Sequence, residues 1–236
     1  MITLFGWQFS LRVRLQKKIL PLSVNYALQE KMLKTYSQFH EDIFLRQLFE
    51  GINNGYYVDI GANNPVKLNN TKKFYDIGWN GINVEPNPRL HKEFCEKRPN
   101  DININSGVSD TAGEMKFYEV EPDCYSTFDL KAAQAVKYSS SKKIKAELNI
   151  RITTINDIFK MCQKPVDFLS VDTEGFDYKV LSVNDWKTNR PKVIVVELNH
   201  DENNQVYTLL TKQEYDLILY NGTNGIFVAK EFQSDF

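Results

Sequence analysis

The sequence predicts an α/β fold built on a mostly parallel, doubly wound sheet. After Gly55, short apolar strands alternate with segments of helical periodicity, a pattern typical of parallel strands joined by right-handed crossovers. Two of the strands, residues 166–171 and 192–198, are almost continuously apolar, as expected where helices cover both faces of a sheet. A chain of 236 residues with 42% hydrophobic residues is long enough for one such domain and short for two.

The first 36 residues differ in charge from the rest. They carry six basic side chains and one acidic side chain, whereas the whole chain has a net charge of −1. Leu11, Leu15, Ile19 and Leu22 lie at helical spacing, which predicts an amphipathic basic helix. We therefore expect a basic N-terminal helical arm over residues 1–36 and the main domain over residues 37–236. The arm would pack on the body, pair with a second chain or bind a membrane surface.

The first half of the main domain reads as helix and strand in turn. Residues 37–50 predict a helix, with Ser37 as its cap and with Glu41 and Asp42 complementing its dipole. A strand follows at residues 56–60, and then a helix with Leu68, Thr71, Phe74 and Tyr75 on one face. Residues 81–85 and 102–105 predict two more strands, separated by a helix that Asn87-Pro88 opens.

The second half begins irregularly and then becomes regular again. Residues 114–120 predict a hairpin strand and residues 130–136 a short helix. Thr154 caps a further helix, and the two buried strands at 166–171 and 192–198 are joined by a helix through Val180 and Leu181. Residues 215–220 and 226–230 close the chain as a hairpin or a final antiparallel strand.

Composition excludes several classes of protein. Lys plus Arg number 29 and Asp plus Glu number 30, without the basic excess of a nucleic-acid-binding protein. The three cysteines contain no CxxC pair, which fits a reducing compartment better than a disulfide scaffold. No run approaches the ~18 apolar residues of a membrane span, and the start of the chain is apolar first and basic afterwards, the reverse of a secretory signal. We expect a cytoplasmic protein.

The end of the first strand carries Asp59 and Gly61, where parallel sheets bind their ligands. A glycine directly after a strand allows the backbone to come close to a ligand. The dinucleotide fingerprint GxGxxG is absent, and Pro65 lacks the N–H that a pyrophosphate cradle would use. A nicotinamide cofactor is therefore disfavoured.

Glu85 ends the second strand, 24 residues after Gly61. A carboxylate at this position can accept hydrogen bonds from both ribose hydroxyls of a nucleoside. An acidic pocket without phosphate donors suits a positively charged nucleoside, and S-adenosylmethionine is a sulfonium joined to adenosine. The residues themselves thus point to this cofactor.

Acidic side chains also follow the two later buried strands. Asp172, Glu174, Glu197 and Asn199 supply oxygen ligands of the kind that Mg²⁺ prefers, and His200 can act as a general base. The alternative is that these acids cap the next helices and lie in water. We assign catalytic roles to Asp172, Glu174 and His200, and a candidate Mg²⁺ site to Asp172, Glu197 and Asn199.

Several motifs in this order resemble the FkbM family of S-adenosylmethionine-dependent methyltransferases, over about residues 37–199. The matching stretches are Ser-Gln-Phe-His-Glu-Asp at 37–42, Tyr-Val-Asp-Ile-Gly-Ala-Asn at 57–63, Gly-Ile-Asn-Val-Glu-Pro-Asn-Pro at 81–88, Gly-Val-Ser-Asp at 107–110 and Val-Asp-Phe-Leu-Ser-Val-Asp-Thr-Glu-Gly at 166–175. One departure is the loop after the first strand, where Asn63, Asn64 and Pro65 stand in place of further glycines.

The resemblance implies a class I methyltransferase (Rossmann-like) fold, whose sheet has seven strands with the last antiparallel, plus N-terminal helices. It implies that the loop from Asp59 to Asn63, with Gly61 and Ala62, holds the methionine end of the cofactor. Glu85 would bind the ribose, and Gly107, Val108 and Ser109 would lie against the adenine. Gln38, Pro86 and Asp172 lie in the matching motifs and complete the predicted cofactor-binding set.

Members of the family generally methylate oxygen, often a hydroxyl on a sugar of a glycan, polysaccharide or natural product. The Asp-Thr-Glu-Gly sequence at 172–175 also differs from the Asn-Pro-Pro-Tyr usual in N-methyltransferases that act on nucleobases or amides. We therefore expect O-methylation of a small-molecule or glycan acceptor, with no nucleic-acid partner. Two alternatives are a nucleotide-binding oxidoreductase and a catalytically inactive Rossmann-like module that docks through its basic arm.

Overall fold

The computed structural model describes residues 34–136, 141–199 and 204–235. Strands and helices alternate through most of this part of the chain. In order they are α1 (Glu41–Leu48), β1 (Tyr56–Ile60), α2 (Lys72–Asp76), β2 (Asn80–Val84), α3 (Pro88–Lys97), β3 (Ile102–Ile104), β4 (Gly107–Val108), β5 (Gly113–Glu121), α4 (Leu130–Val136), β6 (Lys143–Thr153), α5 (Ile155–Phe159), β7 (Phe168–Val171), α6 (Asp177–Ser182), β8 (Val193–Glu197), α7 (Gln205–Lys212), β9 (Tyr215–Tyr220) and β10 (Asn224–Ala229).

Seven of the described strands form one sheet in the order β3-β2-β1-β7-β8-β10-β9. The neighbours from β3 to β8 pair in parallel, and β10 runs antiparallel to both β8 and β9. The predicted fold class is confirmed: the sheet is mostly parallel, and its last strand is antiparallel. The connections place the carboxyl ends of β1, β2, β7 and β8 along one edge, where ligands bind in such sheets.

Consecutive strand residues point to opposite faces of this sheet, so each face carries apolar side chains. Helices cover both faces. Tyr57 and Phe168 face one core with Leu45, Phe49, Phe74 and Trp79, an aromatic-rich cluster beneath α1 and α2. Val58 and Ile60 face the other core. That second core also contains the apolar side chains of α5, α6 and α7, namely Ile155, Ile158, Val180, Leu181, Val206 and Leu210. Burial on both faces explains why most residues of these strands are apolar.

The first described helix begins at Glu41, four residues later than predicted, and Ser37 is not its N-cap residue, although Ser37 Oγ accepts a hydrogen bond from the Asp42 N–H in the first turn at 3.2 Å. His40 precedes it in the left-handed conformation, with φ 68°. Glu41 and Asp42 are both buried, so they do not act as exposed charges at the helix end. Asp42 instead accepts hydrogen bonds from Thr35 Oγ1 at 2.6 Å, the Tyr36 N–H at 2.8 Å and Ser37 Oγ at 3.0 Å, and thus fixes the segment that leads into the helix.

The helix after β1 is shorter than the spacing of apolar residues in the sequence predicts. It covers only Lys72–Asp76, and Leu68 lies outside it in the left-handed region, with φ 51°. Leu68 is 60% exposed and therefore does not share the buried face of Phe74. The longer loop that results, residues 61–71, borders the carboxyl edge of the sheet.

Three further strands form a second sheet in the order β4-β6-β5, with β6 antiparallel to β5 and parallel to β4. The sequence analysis predicted β5 and missed β6. The signal was present as the alternation of Ile144, Ala146, Leu148, Ile150 and Ile152 with polar residues, because a strand with one face exposed repeats every two residues. Most of β6 is exposed or only partly buried.

Two predictions concern residues outside the described part of the chain. The basic arm falls almost entirely within residues 1–33, and His200 falls in the second gap. The boundary between an arm at 1–36 and a domain at 37–236 stays a prediction. In the ranges that the structure describes, no helix has the length and apolar character needed to cross a bilayer.

Candidate functional site

A cavity of about 380 Å³ opens at the carboxyl edge of the large sheet. The ends of β1, β2, β4, β7 and β8 all contribute to its wall, as the parallel topology requires. It brings together residues that are far apart in the sequence. Of the predicted site residues it is lined by Gln38, Asp59, Gly61, Ala62, Asn63, Glu85, Pro86, Gly107, Val108, Asp172, Glu174, Glu197 and Asn199.

The loop after β1 is fixed by backbone contacts. The N–H groups of Gly61 and Ala62 both donate to the carbonyl of Val84 at the end of β2, at 3.0 and 3.1 Å. Gly61 has φ 77°, and a Cβ added there would lie 1.7 Å from the carbonyl oxygen of Asp172. The glycine is therefore required by the close approach of β1 and β7, which is a reason different from the predicted approach to a ligand.

Asp59 ends β1 with its carboxylate buried against neutral donors. Thr71 Oγ1 donates to its Oδ2 at 2.9 Å and Asn69 Nδ2 donates to the same oxygen at 3.3 Å. Burial raises the pKa of Asp59, while the nearby positive charge of Arg98 and the hydrogen bonds lower it, and the net direction is upward. These donors fix the orientation of the carboxylate before any ligand arrives.

Glu85 ends β2 and is held by backbone. The N–H of Asn63 donates to one of its carboxylate oxygens at 2.7 Å and the N–H of Asn87 to the other at 2.8 Å. Burial raises the pKa of Glu85 to about 8, although the hydrogen bonds from these two N–H groups lower it. Each oxygen retains a lone pair for a further donor, so the group can still accept hydroxyls from the cavity.

An apolar compartment adjoins Glu85. Gly107 and Val108 form one part of its wall, and Phe117 and Phe128, whose ring centroids are 4.9 Å apart, form another. A Cβ on Gly107 would lie 2.4 Å from the Phe128 ring, so only glycine allows this ring to sit so close. Ser109, which is also predicted to lie against the adenine, does not line the cavity.

Ser109 is buried behind the compartment. Its N–H donates to the carbonyl of Thr153 at 3.1 Å, and its hydroxyl donates to Asp110 at 3.1 Å. Its predicted contact with the cofactor stays a prediction, and these bonds indicate that it supports the neighbouring wall.

The opposite end of the cavity is acidic. Asp172 is accessible from the cavity, and Glu174 follows it in the left-handed conformation with φ 51°. Enclosure in the cleft and the negative charges of Glu174 and Glu197 hold the pKa of Asp172 well above its usual range. Burial and the charges of Glu197 and Asp177 raise the pKa of Glu174 to about 8. The Glu174 carboxyl can therefore exchange protons near neutral pH.

The predicted Mg²⁺ site is not supported. Glu197 Oε1 accepts a hydrogen bond from Asn199 Nδ2 at 3.2 Å, so these two residues do lie together. However, within residues 34–136, 141–199 and 204–235 no three His, Cys, Asp or Glu side chains are grouped so that they could hold a metal ion.

The charged side chains described on the cavity wall are all acidic. Six carboxylates line the cavity, whereas none of the described residues on its wall is Lys, Arg or His. Amide and hydroxyl side chains supply the remaining polar groups, including Gln38, Asn70 and Thr223. Such a wall favours ligands that carry positive charge or none and disfavours phosphates.

A group of polar residues in and behind the cavity wall was not predicted from the sequence. Asn69, Asn70 and Thr71 lie in the loop after β1, where Asn69 and Thr71 hold Asp59 and Asn70 Nδ2 donates to Ser170 Oγ at 3.2 Å. Arg98, at the end of α3, binds the same loop. The signal was a short polar run of Asn, Asn and Thr just before a helix, a place where side chains commonly bond to the backbone.

Comparisons with known proteins match the chain to methyltransferases. The methyltransferase FkbM domain matches residues 59–217. A solved structure of methyltransferase FkbM from Methylobacillus flagellatus KT is similar, with 12% identity over 81% of this chain and a TM-score of 0.51. This chain spans 48% of that protein's length, and at this level of identity the likeness concerns the fold alone.

A second similar structure is a TehB-like SAM-dependent methyltransferase from Corynebacterium glutamicum. It is 7% identical over 81% of this chain and 88% of its own, with a TM-score of 0.45. None of the curated proteins matches the chain significantly.

Proposed function

Since the chain belongs to the FkbM methyltransferase family, we propose that it uses S-adenosylmethionine to methylate oxygen, on a sugar hydroxyl of a glycan, polysaccharide or natural product. One observation carries the proposal. Asp59 and Glu85, at the ends of the neighbouring strands β1 and β2, present two buried carboxylates to one cavity. Carboxylates so placed can bind an ammonium group and a pair of ribose hydroxyls.

The charge of the cavity and the position of its apolar compartment support the proposed cofactor. When bound, S-adenosylmethionine supplies an electrophilic methyl group on a sulfonium. Asp59 would hold the ammonium of the methionine part, and Glu85 would accept the ribose hydroxyls. The apolar compartment beside Gly107 and Phe128 would take the adenine. The one-sided negative wall suits a ligand with two positive centres.

The acidic end of the cavity would activate the acceptor. A sugar hydroxyl is a weak nucleophile until its proton leaves, and a nearby carboxylate that takes the proton typically adds about 10²–10⁴-fold to the rate. Asp172 is open to the cavity and Glu174 lies next to it. Holding the acceptor oxygen in line with the methyl group contributes roughly 7–11 kcal/mol more. The predicted role of His200 rests on the sequence alone.

The wall also narrows the class of acceptor. Gln38, Asn199 and Thr223 offer amide and hydroxyl groups of the kind that bind neutral polyols. A phosphate or carboxylate on the acceptor would be repelled by Asp172 and Glu174, whose charge is offset only in part by Lys142, which does not line the wall. We therefore propose an uncharged sugar, or one that carries an amine. The described cysteines are free, in keeping with a cytoplasmic location.

Thermal unfolding with added ligands tests the proposal. S-adenosylhomocysteine at a hundredfold excess over its dissociation constant should add about 2.7 kcal/mol to stability. In a chain of this size the unfolding temperature should then rise on the order of 5–10 °C. NAD serves as the matched control and should give no shift, and Mg²⁺ should not change either result. A shift with NAD alone would favour an oxidoreductase.

No shift with S-adenosylhomocysteine would overturn the proposed activity and favour an inactive module that docks through its basic arm. A chain shortened by the first 36 residues separates these roles. On the proposed function it keeps its affinity for S-adenosylhomocysteine, while any binding to anionic vesicles or to a second chain disappears with the arm.

A further inference from the structure

Arg98 is a fully buried cation whose side chain turns inward at the end of α3. Its guanidinium donates to the carbonyl of Pro65 through Nε at 3.1 Å and through Nη2 at 2.7 Å. Nη2 also donates to Asn69 Oδ1 at 2.6 Å, and Nη1 donates to Thr71 Oγ1 at 2.6 Å. All four bonds end on the loop of residues 61–71, which connects β1 to α2.

The same two side chains connect this cation to Asp59. Asn69 and Thr71 accept from Arg98 through their oxygens and donate to Oδ2 of Asp59 through Nδ2 and Oγ1. Asn69 Nδ2 also donates to the carbonyl of Ala62 at 3.1 Å, so one amide holds both the carboxylate and the loop that follows it. Arg98 is therefore one side chain removed from a wall of the cavity.

Arg98 has little direct ionic compensation. The nearest carboxylate is Asp101, whose Oδ2 lies 4.0 Å from Nη1 and already accepts from Tyr57 and Asn83. The rings of Phe94 and Tyr75 cover the guanidinium at 5.3 and 5.5 Å. A buried charge is costly when its bonds are mostly to neutral groups, which makes a simple packing role a weak explanation.

We propose that Arg98 is a positioning residue for the cofactor: acting through Thr71 and Asn69, it fixes the orientation of Asp59 and of the loop at residues 61–71. The inference rests on the proposed function and deepens it, because it concerns a residue that does not touch the cavity. A planar guanidinium can bind three acceptors in fixed directions, whereas the single ammonium of lysine cannot reproduce that fork.

The charges and hydrogen bonds around Asp59 should make ligand binding depend on pH. Arg98, Thr71, Asn69 and Ser170 lower the pKa of Asp59 against the effect of burial. The other charged groups that face it are Glu85 and Asp172, each of which is coupled to it by repulsion. Without the Thr71 hydroxyl, the pKa of Asp59 should be higher. Asp59 would then stay protonated up to a higher pH and bind an ammonium group less well below that pH.

The experiment measures S-adenosylhomocysteine binding calorimetrically from pH 5 to pH 9 in the full chain. Thr71→Val preserves the shape of the side chain and removes its hydroxyl. It should weaken binding by about tenfold at the acidic end and shift the pH midpoint of binding upward. Thr71→Ser keeps the hydroxyl and should restore the wild-type profile. Arg98→Lys, if it folds, should weaken binding at every pH.

Thr154→Val is the matched control, because it removes a hydroxyl that caps α5 away from Asp59. It should lower the unfolding temperature without moving the pH profile. If Thr71→Val behaves like this control, the network is only structural and the inference is overturned. If the wild-type chain itself does not bind S-adenosylhomocysteine, the proposed function fails, a result distinct from equal binding by wild type and variant.

Discussion

The two ends of the cavity hold their carboxylates in different ways. At the β1–β2 end, Asp59 and Glu85 each accept hydrogen bonds from neutral groups of the fold at 2.7–3.3 Å. At the β7–β8 end, burial and the negative charge of Glu197 raise the pKa of both Asp172 and Glu174. Burial raises pKa values at both ends, so both are poised in protonation, and the first end is in addition fixed in geometry by these donors. On the proposed function, ligand binding would draw on the β1–β2 end and proton transfer on the β7–β8 end of the same sheet edge.

The largest effect should come from Glu85→Ala. It removes a carboxylate that is held by two backbone N–H groups and would leave these donors unpaired beside the cavity. Hydrogen bonds to charged groups contribute roughly 1.5–3 kcal/mol each, so the loss of two ribose contacts should weaken S-adenosylhomocysteine binding by about 10²–10⁴-fold, in addition to the cost of the unpaired donors. Calorimetric titration measures this change.

Glu96→Ala is the control for that variant, since Glu96 is exposed on α3. It should bind S-adenosylhomocysteine as the wild type does. Unchanged affinity in Glu85→Ala would contradict the geometric role of the β1–β2 end and remove the basis of the comparison.

Asp172→Asn should separate the two ends. The substitution keeps the size of the side chain and removes its ability to take a proton, while the contacts at Asp59 and Glu85 stay intact. We expect unchanged binding of S-adenosylhomocysteine and a loss of turnover of about 10²–10⁴-fold. The measurement is transfer of a labelled methyl group to a panel of neutral sugars. Turnover at the wild-type rate would remove Asp172 from the mechanism.

The sequence predicted the first end of the cavity better than the second. Asp59, Gly61 and Glu85 follow strands that are recognisable from apolar runs, and their positions relative to the sheet are set by topology. The proton affinities at Asp172 and Glu174 depend on the distances between strands that only the folded chain defines. Oxygen ligands at the ends of two neighbouring strands likewise predicted a metal site, but no group of three His, Cys, Asp or Glu side chains able to hold a metal is found in the part of the chain that the structure describes.

The loops were the least predictable part of both fold and site. Leu68 was placed on a helix because its spacing fits, although the chain there turns through a left-handed residue. The hydrogen bonds of Asn69 and Thr71 to Arg98 connect residues almost 30 positions apart, and no local pattern encodes such a pair. The strand β6 was missed although its alternation was visible, because its exposed charged residues obscured the apolar ones.

A smaller effect concerns the pH dependence of stability. The folded-state pKa values of Glu85 and Glu174, each about 8, lie above the ordinary 4.5 of glutamate. Between these limits the folded chain binds more protons than the unfolded chain, so stability falls as pH rises from about 5 to 8. The unfolding temperature of the ligand-free protein should decrease over this range. Glu174→Gln should make this decrease smaller. A rise of the unfolding temperature over this range would contradict the raised pKa of Glu174 at the β7–β8 end.

The smallest effect should come from Asn87→Ala, which tests whether backbone alone fixes Glu85. The Asn87 side chain caps α3 by accepting from the Arg89 N–H at 3.0 Å, whereas Glu85 is bound by the Asn87 backbone N–H. Loss of the cap should cost about 1 kcal/mol, which lowers the unfolding temperature by roughly 2–4 °C. Affinity for S-adenosylhomocysteine should change less than threefold, on the order of 0.6 kcal/mol, since the backbone donor remains. Thr154→Ala removes the cap of α5 away from the cavity and should lower stability to a similar degree without any change in affinity. A large loss of affinity in Asn87→Ala alone would mean that side chains, and not the backbone, set the geometry of the β1–β2 end.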